Sequence, residues 1–409
     1  MRWQFAAVQA GVNVEDYRTE EQFRRKICRL LDQVRSQAGT DPSLPLLVAF
    51  PEDIGTPLAF VDDPVVVQQE STLRGAVTAM VRRHMWAAAW RRLRHRVGWV
   101  RALFLLQADR MARIYFSVFA QAARDYQAYI VAGSVVLPDL GPDWGGVYLA
   151  ADAEHARAQG KQRTLSSQPD EAERGGDPEL DLGTGKDQRS VYNVSYTFDL
   201  HGRVLGFQRK VHMVEQEAPG RLDLVPGRLH DIRALALPGL SVGVAICYDG
   251  FFTDVRASLR QDGASVLVQP SANPGPWTPE QQLDWLRGAW TATLRPQDAP
   301  YELQPGCGFA AAINPMLVGR LFDVRFEGQS SILLAHGPER SPEALQTVGV
   351  SRDGARPSPQ YQAVQGRPGF LAVAEKADDE QVLVATVSLP ERQEDPFTSD
   401  LPGQVVDSQ

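Results

Sequence analysis

The stretch Val244-Ala-Ile-Cys-Tyr-Asp-Gly-Phe-Phe252 closes an apolar run, Leu240-Ser-Val-Gly-Val-Ala-Ile246, with the length and β-branched content of a buried strand. The run stops at Cys247, and the residues from about Phe252 to Gln261 read as a helix. A further strand, Ala264-Ser-Val-Leu-Val-Gln269, follows. Strands separated by helices describe an α/β chain, in which chemistry gathers beyond the C-terminal ends of the strands. A free cysteine in that position is either a nucleophile or a small buried hydrophobe, and this segment alone leaves both readings open.

Two other apolar runs end on reactive side chains. Leu46-Leu-Val-Ala-Phe50 is stopped by Pro51 and followed at once by Glu52. Val191-Tyr-Asn-Val-Ser-Tyr-Thr-Phe198, a turn at Asp199 to Gly202, and Arg203-Val-Leu-Gly-Phe-Gln-Arg-Lys-Val211 form a hairpin by pattern, with Lys210 near its exit. A carboxylate beside a thiol can take its proton. An ammonium can stabilise both a thiolate and a developing oxyanion. Each residue also has a plainer reading: Glu52 as a helix N-cap, Lys210 as a strand-end surface lysine.

Elsewhere the pattern continues to alternate. Trp3 to Gln9 reads as a strand, and Glu20 to Ala38 as a helix with Phe23, Ile27, Leu30, Leu31 and Val34 on one face. Residues 73–125 read as largely helical, and Tyr129-Ile-Val-Ala-Gly-Ser-Val-Val136 as one β-rich run. Residues 138–190 form a polar insertion, with Gln168-Pro-Asp-Glu-Ala-Glu-Arg-Gly-Gly-Asp-Pro178 at its centre. Gly308 to Asn314, Gln329 to Ala335 and Gln381 to Ser388 supply further strands within a Pro-rich and polar remainder. There is no repeat of fixed period, and no Gly-x-Gly-x-x-Gly or Walker loop to hold a nucleotide.

Composition narrows the class. The chain has 409 residues, 43% hydrophobic and 22% charged, with a formal net charge of −8. That balance gives no overall footprint for nucleic acid and points to a small-molecule substrate. The three cysteines, Cys28, Cys247 and Cys307, are too few and too widely spaced for a disulfide framework. No Cys/His cluster has metal-ligand spacing, so neither a metal nor another cofactor is expected. The first residues run directly into strand-like sequence without the features of a signal peptide, and no apolar run reaches the ~20 residues that span a bilayer. A cytoplasmic location follows as the expectation.

Phe50-Pro-Glu-Asp53, Arg209-Lys-Val-His-Met213 and Ile246-Cys-Tyr-Asp-Gly-Phe-Phe252 resemble, in order, the three motif blocks of the nitrilase, or carbon–nitrogen hydrolase, superfamily. Tyr129-Ile-Val-Ala-Gly-Ser134, Gly263-Ala-Ser-Val-Leu-Val-Gln-Pro-Ser-Ala272 and Gly328-Gln-Ser-Ser-Ile332 extend the resemblance. In all it covers roughly residues 3–60, 115–137, 190–294 and 308–335. It implies a four-layer α-β-β-α sandwich, with Glu52 as general base, Cys247 as nucleophile, and Lys210 with the Tyr248 N–H at an oxyanion site. Many members place a second glutamate after the lysine. Glu217 has the spacing seen in nitrilases proper, and Glu215 is its competitor. A single domain over residues 1–390 is implied, with a helical, basic insertion at about 78–112, the polar insertion, and a tail at 391–409. So is assembly as a dimer or larger oligomer through an outer helical layer.

Departures from the family bear on substrate. Members often carry Arg shortly after the nucleophile, where carbamoyl-amino-acid hydrolases would meet a carboxylate; this chain has Phe251. Tyr248-Asp249 resembles amidases more than nitrilases, which tend to show Trp-Glu. Tyr248, Phe251, Asn273 and Trp277 are the candidate substrate-binding residues. The implied activity is hydrolysis of a small amide through a cysteine thioester. A nitrilase, or a non-catalytic scaffolding member, is the alternative.

One segment stands apart. Arg82 to Arg101 is rich in Arg and Trp within an acidic chain, and Trp86, Trp90, Leu93 and Val97 share one helical face. The expectation is a helix packing that apolar stripe on the body with its arginines in solvent. An interfacial helix on anionic lipid, and a lid or dimer contact, are the other readings.

Overall fold

In the computed structural model, residues 2–37, 43–61, 63, 69–139, 189–293, 296, 301–335 and 370–389 are described. Strands β1 (Arg2–Gln9) and β2 (Gly11–Val12) lead to helix α1 (Glu20–Ser36) and strand β3 (Leu46–Ala49). Helices α2 (Leu73–Arg83), α3 (Met85–His95) and α4 (Trp99–Asp125) follow. Next come β4 (Tyr129–Val131), β5 (Val135–Pro138), β6 (Val191–Phe198), β7 (Val204–Arg209), β8 (Leu235–Leu237) and β9 (Leu240–Val244). Helix α5 (Thr253–Gln261) precedes β10 (Val266–Val268), β11 (Ser271–Ala272) and helix α6 (Pro279–Thr293). The last strands are β12 (Ala311–Asn314), β13 (Met316–Leu321), β14 (Val324–Phe326), β15 (Ser331–Leu334), β16 (Phe370–Val373) and β17 (Gln381–Ser388).

The strands form two large sheets. One runs β17-β1-β3-β4-β6-β5, with β7 also on β6; the other runs β16-β15-β12-β10-β9-β8. At the centre of the first, β1, β3 and β4 are parallel, and at the centre of the second, β9, β10 and β12 are. A small third sheet joins β11, β13 and β14, with β2 on β13.

Period-two alternation decides what each face meets. Trp3, Phe5, Ala7, Leu47 and Ala49 of the first sheet share one core with Val242, Val244, Val266, Val268, Ala311 and Ile313 of the second. The intervening residues turn outward. Ala6, Val8, Leu46 and Val48 pack with Phe23, Ile27 and Leu30 of α1 and with Phe116 and Phe119 of α4. Leu267, Ala312 and Leu333 pack with Val255 and Leu259 of α5 and Ala289 and Ala292 of α6. Helix, sheet, sheet, helix is the four-layer sandwich expected from the sequence.

Local signals explain several boundaries. Thr19 caps α1 by accepting the Gln22 N–H at 3.2 Å, and the apolar face expected for that helix is buried. The run Tyr129–Val136 is two strands rather than one. It breaks around Gly133, whose φ is +65° and where a Cβ would lie 2.0 Å from the Pro51 carbonyl oxygen. Glycine there lets the chain press against the loop that carries Glu52. Residues 140–188 of the polar insertion, and the tail at 391–409, lie outside the described residues. Among the described residues no helix is long and apolar enough to cross a membrane.

The basic segment departs from expectation. It is three helices rather than one, broken at His84 and again at Arg96, a non-glycine residue at φ 54°. The buried residue of α3 is Ala88, on the side away from Trp86, Trp90 and Leu93. Those three are exposed, so the stripe faces outward along α3 instead of onto the body, while Val97, beyond the break at Arg96, packs against the core. Hydrophobic periodicity gives the stripe but not the direction in which it points.

Candidate active site

Parallel strand ends bring the chemistry together. Glu52 follows β3 by three residues, Lys210 follows β7 directly, and Cys247 lies three beyond β9. β7 is antiparallel to β6, and β6 to β4, so β7 runs in the same direction as β3 and β4. Glu217, on a short 3₁₀ turn at Glu215–Glu217, completes the group. All four side chains are buried.

Lys210 Nζ lies 2.8 Å from Glu52 Oε1 and 2.9 Å from Glu217 Oε2. Glu215, by contrast, is exposed and pairs with Arg221 at 2.6 Å. Glu217 is therefore the second glutamate at the site. Two groups that the sequence reading did not single out hold the carboxylates. Asn193 Nδ2 donates to Glu52 Oε1 and to Glu217 Oε1, each at 2.9 Å. The Ala272 N–H donates to Glu52 Oε2 at 3.1 Å. β6 also buries Ser195 and Thr197, so a polar residue on this strand gave no distinct signal for Asn193.

Cys247 is fixed through its backbone. Its N–H donates to the Pro270 carbonyl and its carbonyl accepts from Gln269 Nε2, both at 2.8 Å. Its φ of 51° is left-handed, which costs a non-glycine residue about 1–2 kcal/mol. Gly250 makes the Gln269 contact feasible, because a Cβ there would fall 2.1 Å from the Gln269 amide. The thiol lies 3.7 Å from the Ala272 carbonyl and also interacts with the Glu52 carboxylate.

Electrostatics follow from this enclosure. Burial raises the Cys247 pKa well above the ordinary thiol value, with the Glu52 charge adding to it and Lys210 opposing. Burial likewise raises Glu52, opposed by the Lys210 ammonium and reinforced by Glu217. At Lys210 burial works against the charge, but Glu52, Cys247 and Glu217 together hold its pKa well above that of ordinary lysine. The resting state is a thiol beside a carboxylate whose proton affinity is increased. That pairing suits proton exchange more than a standing thiolate.

Asp249, also enclosed, joins two of these segments. It accepts the Val211 N–H at 2.9 Å and the His212 N–H at 2.7 Å, so the turn after Cys247 grips the chain just beyond Lys210. Burial raises its pKa to about 6 against those N–H donors. His212 stacks on Phe252 with ring centroids 3.7 Å apart and meets Asp254 Oδ1 at 3.0 Å.

The rim is aromatic. Tyr248 is 42% exposed and lies 6.4 Å from Phe251, which packs edge-on at 4.7 Å against Trp285. Trp277 continues the row, 6.3 Å from Trp285. Trp285, within α6, was not among the sequence candidates. The Asn273 side-chain amide donates to the Glu327 carbonyl at 3.2 Å and so engages the backbone of a neighbouring loop. Cys307 is buried and Cys28 partly so, both free thiols away from this group.

A sequence profile of the Carbon-nitrogen hydrolase family matches residues 174–289, a range that holds Lys210, Glu217 and Cys247 but not Glu52. Nitrilase homolog 2 of Dictyostelium discoideum is 31% identical over 101 residues, 23% of this chain and 29% of the relative. Deaminated glutathione amidase of Homo sapiens is 30% identical over 90 residues, covering 20% and 27%. Omega-amidase NIT2 of Homo sapiens is 27% identical over 150 residues, covering 34% and 51%. The chain thus spans less than a third of the first two relatives and about half of the third. A solved carbon–nitrogen hydrolase from Helicobacter pylori superposes with a TM-score of 0.49 at 14% identity, covering 94% of this chain and 88% of that one. The family match over residues 174–289 agrees with the ordered strand-end motifs, which resemble those of the carbon–nitrogen hydrolase, or nitrilase, superfamily.

Proposed function

We propose that the protein is a thiol-dependent amidase acting on a small amide. The observation that carries this reading is the enclosed group in which Lys210 bridges Glu52 and Glu217 while Glu52 meets the Cys247 thiol. The names of the amidase relatives agree with it.

The steps follow from the positions. Glu52 takes the thiol proton as sulfur attacks the amide carbon, and the carbonyl electrons move onto oxygen. Lys210 and the backbone N–H of Tyr248 stabilise that oxyanion. The carbon–nitrogen bond then breaks, Glu52 returns the proton to the departing ammonia or amine, and a thioester remains. Water attacks the thioester, giving a proton to Glu52, and the carbon–sulfur bond breaks to release acid and restore the thiol. Glu217 and Asn193 hold Lys210 and Glu52 in register through both halves. The aromatic row from Tyr248 to Trp277 supports a substrate that presents an uncharged face.

A panel of primary amides, ω-amides and nitriles, read by ammonia release, tests the proposal. Turnover of amides that disappears in Cys247→Ala supports it; full activity in that variant overturns it. Turnover of nitriles alone makes the protein a nitrilase. Iodoacetamide labelling of Cys247 near neutral pH that vanishes in Lys210→Ala separates catalysis from a scaffolding role.

A further inference from the structure

The outward face of α3 has no place in this chemistry. Trp86 is 84% exposed, Leu93 76%, Trp90 61% and Met85 47%, within a single helix of 11 residues. Burial of large apolar side chains is favourable, so a cluster of them left in water is unusual for a folded surface. The helix is held from behind, where Ala88 is buried and α3 packs along α4.

Charge sharpens the picture. Between Ser71 and Ala108 there are eight arginines and no Asp or Glu, although the chain as a whole carries −8. On the α3 wheel Arg92 and Arg94 flank the stripe on opposite sides, and both are exposed. The hairpin is also firmly rooted. Arg101 donates to Asp223 Oδ1 at 2.8 Å and to the Asp223 carbonyl at 2.6 Å, and the Gly98 N–H reaches Asp223 Oδ2 at 3.2 Å.

We propose that α3 and the start of α4 form an interfacial docking surface for an anionic lipid bilayer, with Trp86, Trp90 and Leu93 entering the headgroup–acyl boundary and the flanking arginines meeting lipid phosphates. Tryptophan favours that boundary, and each arginine near an anionic leaflet strengthens the attraction. A second copy of the chain fits less well. A two-fold contact through this face would set arginine against arginine. A nucleic acid would use the arginines but not Leu93 and Met85, which offer no ring to stack on a base.

Cosedimentation of the full chain with phosphatidylserine–phosphatidylcholine vesicles, compared with pure phosphatidylcholine, tests this. The expected result is at least about tenfold stronger partitioning onto anionic vesicles. Trp86→Ser with Leu93→Ser should lower it about tenfold or more, and Arg92→Glu with Arg94→Glu should remove the preference for anionic lipid. Both variants should keep the wild-type melting temperature and amide turnover measured without vesicles. Failure of the wild-type chain to sediment with anionic vesicles would overturn the proposal. So would partitioning that neither variant changes, or tighter binding to a single-stranded oligonucleotide than to vesicles at equal salt. A dimer that the Trp86→Ser, Leu93→Ser chain loses, without any vesicle binding by wild type, would overturn it in favour of self-association.

Discussion

Lys210 Nζ lies 2.8 Å from Glu52 Oε1, and almost nothing of either side chain reaches solvent. With Glu217 also present, one buried cation serves two carboxylates. Removing it should therefore cost more than a surface pair would. Lys210→Met is expected to lose roughly 3–5 kcal/mol in urea unfolding, since it leaves enclosed carboxylates without a cation. Adding Glu217→Gln to that variant should recover part of the stability and none of the turnover. Equal stability of the single and double variants would show that Glu217 and Lys210 are not coupled.

Asn193 offers a sharper probe, because one amide group serves both glutamates. Asn193→Ala should lower kcat about 10- to 100-fold through misplacement of Glu52. Without the donor, Glu52 should bind its proton more tightly, and the acidic limb of the rate profile should move to higher pH. A purely structural role would lower the melting temperature and leave that limb in place.

The wild-type pH profile carries its own sign. Burial raises the Glu52 pKa, and a protonated Glu52 cannot accept the thiol proton. Activity should thus fall as pH drops through a value above the ordinary carboxylate range of about 4.3. On the alkaline side Lys210, held well above the usual lysine value, keeps its charge. kcat/KM should be level through moderately alkaline pH. Glu52→Gln should remove about 10²–10⁴-fold of the rate and abolish the acidic limb.

Asp53 gives a stability prediction. Burial and the neighbouring Glu52 raise its pKa from 3.8 to about 7, while Thr56 Oγ1 donates to its Oδ1 at 2.7 Å. A carboxyl raised on folding costs stability as pH climbs from the unfolded value to the folded one. Asp53→Asn keeps the acceptor and tolerates the φ of 60°. It should be more stable than wild type by roughly 1–2 kcal/mol above pH 7, allowing for partial exposure, and lose that advantage toward pH 4. Thermal melts at several pH values would read this directly.

Much of the architecture was legible because it rests on local pattern. β6 and β17 have the bounds their alternation indicates, and α1 buries the face its spacing marks. Glu52, Lys210 and Cys247 were legible because a reactive side chain directly after an apolar run is conspicuous. Asn193 was not, since its role depends on two residues from other segments of the chain. Choosing Glu217 over Glu215 likewise required knowing which side of a 3₁₀ turn faces Lys210. The orientation of Trp86 and Leu93 escaped because an amphipathic stripe is the same in sequence whether it meets a core or a solvent.

The pairing of β1 with β17, from Arg2↔Ser388 to Gln9↔Gln381, also sets an order of events during synthesis. The first sheet cannot close until residue 388 has been made. At about 5–20 residues per second, β1 waits roughly 20–80 s for this partner. During that interval its apolar edge is open, and a nascent chain stalled before Gln381 would be a target for chaperones or for self-association. The β1 edge of the first sheet is thus the last part of that sheet to be covered.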